Sequence, residues 1–195
     1  MRCYLLFIFC LVQTAKPCLG QSKKDAPRTN QYNTLKTIEG KQMSLVVKAG
    51  QKALVLLFVS PECPLCQSYS LTIRQLFEKY NSQGFEFVAI VPGTDFSKDE
   101  IIKYRNSYGL KGIPFCIDPS YSFSKQMQAT ITPEVFVMNQ KKEIVYSGRI
   151  DNWAYELGKK RTVITEHDLA DVLEKLNKGI AIKPYQTKAV GCFIN

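Results

Sequence analysis

Residues 53–66 read Ala-Leu-Val-Leu-Leu-Phe-Val-Ser-Pro-Glu-Cys-Pro-Leu-Cys, and the fold is read outward from them. Ala53 to Val59 is an unbroken apolar run. Its length suits a strand, and the lack of alternation predicts burial on both faces, as at the centre of a parallel sheet. Past Ser60-Pro61-Glu62, apolar residues Tyr69, Ile73, Leu76, Phe77 and Tyr80 recur at helical spacing, and Gly84 lies beyond the expected stop. The pair Cys63 and Cys66 therefore falls at a strand-to-helix junction. Cys63 is expected at the helix start, where free N–H groups and the helix dipole favour a thiolate. Pro64 is expected at the first helical position, where its missing N–H does no harm. Cys66, three residues on, lies within reach for a disulfide. This arrangement predicts Cys63 as nucleophile and Cys66 as the resolving thiol. The competing readings are an inert structural disulfide or half of a zinc site. Zinc needs about four ligands, whereas the chain has one histidine, His167, and no second Cys-x-x-Cys. No metal is assigned, and no other cofactor is called for.

The flanking sequence continues in α/β order. Leu35 to Val47 predicts a small hairpin turning at Glu39-Gly40-Lys41. Phe85 to Val91 is the next strand, and Ser97 with Glu100 forms a capping-box pattern for a helix ending near Gly109. Ile113 to Ile117 is a third strand, and Ser120 to Met127 a short helix. Glu134 to Met138 and Glu143 to Ser147 predict an antiparallel hairpin. Asp151 to Val163 reads as a long loop, Thr165 to Lys178 as a final helix ended by Gly179, and residues 180–195 as a tail of little periodicity. Right-handed crossovers put helices on both faces of the sheet. His167, in the first turn of the final helix, reads as solvated.

The first twenty residues differ from the rest. Met1-Arg2 is a positive start, Cys3 to Val12 an apolar run too short to span a bilayer, and Cys18-Leu19-Gly20 offers small residues before Gln21. This reads as a cleaved signal peptide, 1–20, followed by a polar lead-in, 21–34, and an extracytoplasmic mature chain, periplasmic or secreted. No stable membrane insertion is expected after cleavage. The chain has 195 residues, with 26 basic against 17 acidic. Arg2 and Lys16 leave with the signal, giving 24 against 17, a net charge of +7. The basic residues are scattered as solvated turns, Lys141-Lys142 and Lys159-Lys160-Arg161 among them, and no nucleic-acid motif is present. Four cysteines remain after cleavage, Cys63, Cys66, Cys116 and Cys192, in a compartment where disulfides persist.

The segment Phe58 to Cys66 (FVSPECPLC), with Thr132-Pro133-Glu134 before a strand, resembles the thioredoxin superfamily. The resemblance is to its redoxin branch, which joins TlpA/ResA-like oxidoreductases and AhpC/TSA peroxiredoxins. It runs from about Tyr32 to Lys178, and Gly148-Arg149-Ile150-Asp151 with Val190-Gly191-Cys192-Phe193-Ile194 is similar to an exported subgroup. The resemblance implies a thioredoxin fold: a central mixed sheet with helices on both faces, an N-terminal hairpin and a C-terminal extension, with the domain over 35–179 and the tail over 180–195. It implies that Pro133 is cis and that the backbone of Thr132 pairs with bound substrate. Expected partners are protein or small-molecule disulfides and a thiol electron donor.

Three departures from the family pattern bear on chemistry. Glu62 precedes Cys63 where thioredoxins have Trp, and its charge would raise the Cys63 pKa. Leu57 stands where thioredoxins bury an acid. Leu56 stands where a peroxiredoxin has proline, although Ser60 and Cys63 fit the rest of that motif. Arg149 would suit a peroxide site, or is a solvated or core-edge arginine. The leading reading is a thiol–disulfide oxidoreductase. Its alternatives are a thiol peroxidase, a Cu(I)-handling protein using the same thiols, or a redoxin fold used only for interaction, against which the intact Cys-x-x-Cys argues. Cys192 is either a third redox cysteine or a metal ligand folded over the dithiol, or a buried thiol or static bridge to Cys116. Cys116 reads as inert core.

Overall fold

The computed structural model describes residues 34–194. The expected signal peptide and all of the lead-in but Thr34 lie outside the described residues.

Ala53–Phe58 forms β3, and every one of its residues is buried. It lies parallel to β4 (Phe85–Pro92) and antiparallel to β7 (Glu134–Asn139), so it is bonded on both edges. Beyond β4 come β5 (Phe115–Asp118), parallel, then β1 (Thr34–Thr37) and β2 (Gln42–Ser44) as an antiparallel hairpin. Beyond β7 come β8 (Ile144–Gly148), antiparallel, and β11 (Tyr185–Gln186), which lies parallel to β8. The mixed sheet thus has eight strands in the order β11-β8-β7-β3-β4-β5-β1-β2.

Strand side chains alternate between faces, and β3 divides the core accordingly. Ala53, Val55 and Leu57 pack with residues of α1 (Pro64–Tyr80), α2 (Lys98–Ser107) and α4 (Asp168–Asn177), while Leu54, Leu56 and Phe58 pack with α3 (Ser122–Met127) and the N-terminal hairpin. Truncating one such leucine to alanine costs about 2–5 kcal/mol. The expected mixed sheet with helices on both faces is present. The capping box is also formed: the Ser97 hydroxyl accepts from the Glu100 N–H, and the Glu100 carboxylate accepts from the Ser97 N–H at 2.7 Å.

The structure differs from the sequence expectation in four places. The third strand begins at Phe115, after Pro114, rather than at Ile113. The expected loop over 151–163 contains a hairpin, β9 (Ala154–Glu156) with β10 (Lys159–Lys160), turning at Leu157-Gly158, where Gly158 takes φ +76°. The last helix begins at Asp168 because Thr165 is engaged elsewhere: its hydroxyl and N–H bond the Asn152 side chain. Finally, the tail is built into the fold. It supplies β11 to the large sheet, and then β12 (Cys192–Phe193), which pairs antiparallel with a short strand before Pro133, β6 (Ile131–Thr132).

Candidate functional site

The end of β3 delivers the chain to the dithiol. Val59 N–H bonds the Ile90 carbonyl, which prolongs the β3–β4 pairing past Phe58. The turn is held by Cys63 N–H to the Ser60 carbonyl at 3.2 Å and by the Gln67 amide to the Pro61 carbonyl at 2.8 Å. Cys63 is the N-cap of α1, extended at φ −70° and ψ 116°, and Pro64 opens the helix as expected. Cys66, one turn in, is fully buried; its carbonyl accepts from the Ser70 and Tyr104 hydroxyls at 2.8 and 3.2 Å, and its sulfur accepts from the Ser60 N–H at 3.4 Å.

The two thiols are driven apart electrostatically. A hydrogen bond from the Cys66 thiol is the largest influence on Cys63 and lowers its pKa to about 5, against the pull of burial; the Cys192 thiol and the N–H groups of Cys66 and Cys192 add to the lowering. Burial, then the neighbouring Cys63 sulfur, pushes Cys66 well above an ordinary thiol. The helix N-terminus thus contributes through the Cys66 N–H, but less than the second thiol does. Glu62 is exposed and is not among the groups that move Cys63. The net shift is downward, opposite to the rise expected from Glu62.

The Thr132–Pro133 peptide is cis, and the Thr132 carbonyl lies 3.1 Å from the Cys63 sulfur, which donates to it as a thiol. Thr132 is buried. The segment is braced by Glu134, a buried carboxylate that accepts from the Thr130 N–H at 3.0 Å.

Cys192 is the fourth member. Its sulfur lies 2.8 Å from that of Cys63, in register opposite Thr132. All four described cysteines are free thiols. Cys116 is enclosed in the other core layer, with its pKa pushed up to about 12 by burial. The static Cys192–Cys116 bridge is therefore not what forms. The inert-core reading of Cys116 fits its position.

Other expected or excluded residues fall into place. Leu57 is buried and apolar, so no acid occupies its position. Arg149 bonds the Asp168 carboxylate at 2.8 Å and also pairs with Glu166. It is a core-edge arginine committed to the start of α4. His167 is the exposed N-cap of that helix. Among the described residues, no group of three or more His, Cys, Asp or Glu side chains is arranged to hold a metal ion, and no helix is long and apolar enough to cross a membrane. Sequence reasoning missed β6 and β12, which are two residues each. The only signals were Thr132 before Pro133 and the small Gly191 before Cys192.

Comparison with known proteins places this geometry. A family model described as Redoxin matches residues 21–160. A 75-residue stretch is 33% identical to the chloroplastic phospholipid hydroperoxide glutathione peroxidase 1 of Arabidopsis thaliana, covering 38% of this chain and 31% of that protein. Among solved structures, a hypothetical protein of Sinorhizobium meliloti is similar with a TM-score of 0.72 and 25% identity, over 83% of this chain and 88% of that one. A secreted Mycobacterium tuberculosis disulfide oxidoreductase, homologous to the Escherichia coli protein DsbE, shares the fold at a TM-score of 0.52 and 16% identity, over 75% of this chain and 95% of that one.

Proposed function

Because the chain belongs to the redoxin family, we propose that it is an extracytoplasmic thiol–disulfide oxidoreductase acting through Cys63 and Cys66. The observation that carries this reading is the split between two thiols one helical turn apart, one lowered to about 5 and the other raised. A nucleophile that is ionised at neutral pH stands beside a resolving thiol that keeps its proton until needed.

The Cys63 thiolate attacks one sulfur of a substrate disulfide. The substrate S–S bond breaks, a Cys63–substrate disulfide forms, and the first substrate sulfur leaves as thiolate. That thiolate takes up a proton, and the Cys66 thiol gives one up. Cys66 then attacks the Cys63 sulfur, forming Cys63–Cys66 and releasing the second substrate thiol. One disulfide has been reduced to two thiols and one dithiol oxidised to a disulfide. A thiol electron donor restores the dithiol. Thr132 and Pro133 are the substrate-binding positions, where an incoming chain pairs with the backbone beside Cys63. The extracytoplasmic setting rests on the character of residues 1–20 and on the secreted mycobacterial neighbour.

The test is turnover of a protein disulfide such as that of insulin. Cys63→Ser should abolish it, and a chain with both Cys66→Ser and Cys192→Ser, which leaves no thiol beside Cys63, should stop after one step with the substrate held as a mixed disulfide. Full activity in Cys63→Ser would overturn the reading. The plant peroxidase relative favours a second reading, thiol peroxidase. Hydroperoxide consumption without disulfide exchange would select it.

A further inference from the structure

The last strand lies where the proposed reading puts the substrate. β12 pairs antiparallel with β6, with Cys192 opposite Thr132 and Phe193 opposite Ile131. The pairing extends to Ile194, whose N–H bonds the Thr130 carbonyl at 2.9 Å. The approach depends on Gly191: a Cβ there would stand 2.0 Å from the Thr132 carbonyl oxygen. Val190 and Cys192 pack on one core layer and Ile194 on the other. Only about 70 Å³ remains open between this strand, Ser60, Asp95, Phe96 and Tyr121, too little for a second polypeptide.

The tail is also anchored upstream. Thr187 N–H bonds the Ser147 carbonyl at 3.0 Å, and the Thr187 hydroxyl meets the Tyr146 hydroxyl at 2.7 Å. Gly148 lets Thr187 approach, since a Cβ at 148 would stand 2.2 Å from the Thr187 carbonyl. Two glycines far apart in sequence thus admit one tail, and its end sets Cys192 against Cys63.

We propose that the C-terminal strand is a tethered substrate and that Cys192 is a third redox cysteine, which competes with Cys66 for Cys63. This rests on the oxidoreductase reading of Cys63. In the oxidised protein, the Cys192 thiol attacks the Cys63 sulfur of the Cys63–Cys66 disulfide. The Cys63–Cys66 bond breaks, a Cys63–Cys192 bond forms, and the proton lost by Cys192 ends on Cys66. The step is an isomerisation with no net oxidation. Burial of Cys66 favours its release as a neutral thiol rather than as a thiolate. Incoming substrate must displace β12 from Thr132, so the tail both holds a disulfide and screens the site.

Tryptic mapping tests this directly. Cys63 and Cys66 share one tryptic peptide, 53–74, whereas Cys192 lies in 189–195. The full chain is oxidised with glutathione disulfide and mapped without reduction. The expected result is a 53–74/189–195 cross-link in the oxidised protein, dominant in Cys66→Ser and absent in Cys192→Ser. In Cys66→Ser, the cross-link should exceed the glutathione adduct by at least about tenfold at millimolar glutathione, because the Cys192 sulfur is already held 2.8 Å from that of Cys63 and a thiol so oriented acts at an effective concentration far above millimolar. Gly191→Val should reduce the cross-link by about the same factor, by closing the approach to Thr132. A Cys66→Ser protein that carries glutathione on Cys63 but no cross-link overturns the role of Cys192 and leaves the oxidoreductase reading intact. A Cys63 that takes neither partner overturns both.

Discussion

Removing the Cys66 thiol should raise the pKa of Cys63, and the hydrogen bond between them sets the size of the effect. Cys63 is lowered from 9.0 to about 5, with the Cys66 thiol as the largest cause. At pH 7 that makes it about 99% thiolate, against about 1% for a thiol left at 9, a difference of roughly a hundredfold in reactive form. A hydrogen bond to a charged group contributes roughly 1.5–3 kcal/mol, and one pKa unit corresponds to about 1.4 kcal/mol. Cys66→Ala should therefore move the Cys63 midpoint upward by about one to two units. Cys66→Ser, which keeps a donor at the same place, should move it less. The assay is the ultraviolet absorbance of the thiolate followed against pH in the reduced protein. The background is favourable. Cys66 is pushed well above 9.0 by burial, Cys192 is raised to about 11 and Cys116 to about 12, each with burial as the first cause. Thiolate that appears below about pH 8 then belongs to Cys63, since ordinary thiols titrate near 8.5. A wild-type midpoint near that ordinary value, or no movement in Cys66→Ala, would refute the argument that the second thiol activates the first.

Two further outcomes follow from the same site and its tail. Because the folded pKa of Cys63 lies below that of the unfolded thiol, near 8.5, the unfolded chain holds the extra proton between about pH 5 and 8.5, and stability should rise with pH across that window. It is lost as pH falls through about 5. The oxidised protein has no Cys63 thiol to titrate, so the melting temperature of reduced minus oxidised protein should climb from pH 5 to pH 8; a flat difference would contradict the lowered pKa. Gly148 adopts φ +132° and touches Thr187, so Gly148→Val should detach the tail, seen as faster proteolysis near Lys188 and loss of the Cys63–Cys192 cross-link. An unchanged tail in that variant would show that the upstream anchor does not hold it.

The scaffold was legible where one physical signal dominates a long segment. A six-residue strand buried on both faces, a seventeen-residue helix and a capping box each carry their periodicity or spacing in the sequence. The dithiol was legible for the same reason, since its place at the strand-to-helix junction follows from the two elements around it. The lowering at Cys63 was legible in part, since a helix start favours a thiolate, but its largest cause, the Cys66 thiol, was not. Glu62 is its neighbour in sequence, but the exposed carboxylate is not among the leading influences on it, while Cys66, Cys192 and two backbone N–H groups supply the lowering. Sequence adjacency is a poor guide to a thiol whose partners are brought to it by a helical turn and by a strand from the far end of the chain.

The tail shows why such a strand is hard to read in advance. β6 and β12 are two residues each, too short for period-two alternation to register, and Phe193 is exposed rather than buried. What holds them is backbone pairing, which any residue except proline can supply, so composition leaves little trace. The trace that remains is negative: Gly191 and Gly148 mark places where a side chain would strike the Thr132 and Thr187 carbonyls. A lone glycine in a tail of little periodicity reads as flexibility. Set beside a cysteine, with a Thr-Pro pair sixty residues upstream, it marks close contact between two backbones. The same absence of a Cβ that hides the strand from periodicity lets Cys192 reach Cys63. If Gly191→Val left the cross-link at its wild-type level, the tail would be reaching Cys63 by another route, and the tethered-strand argument would fall with it.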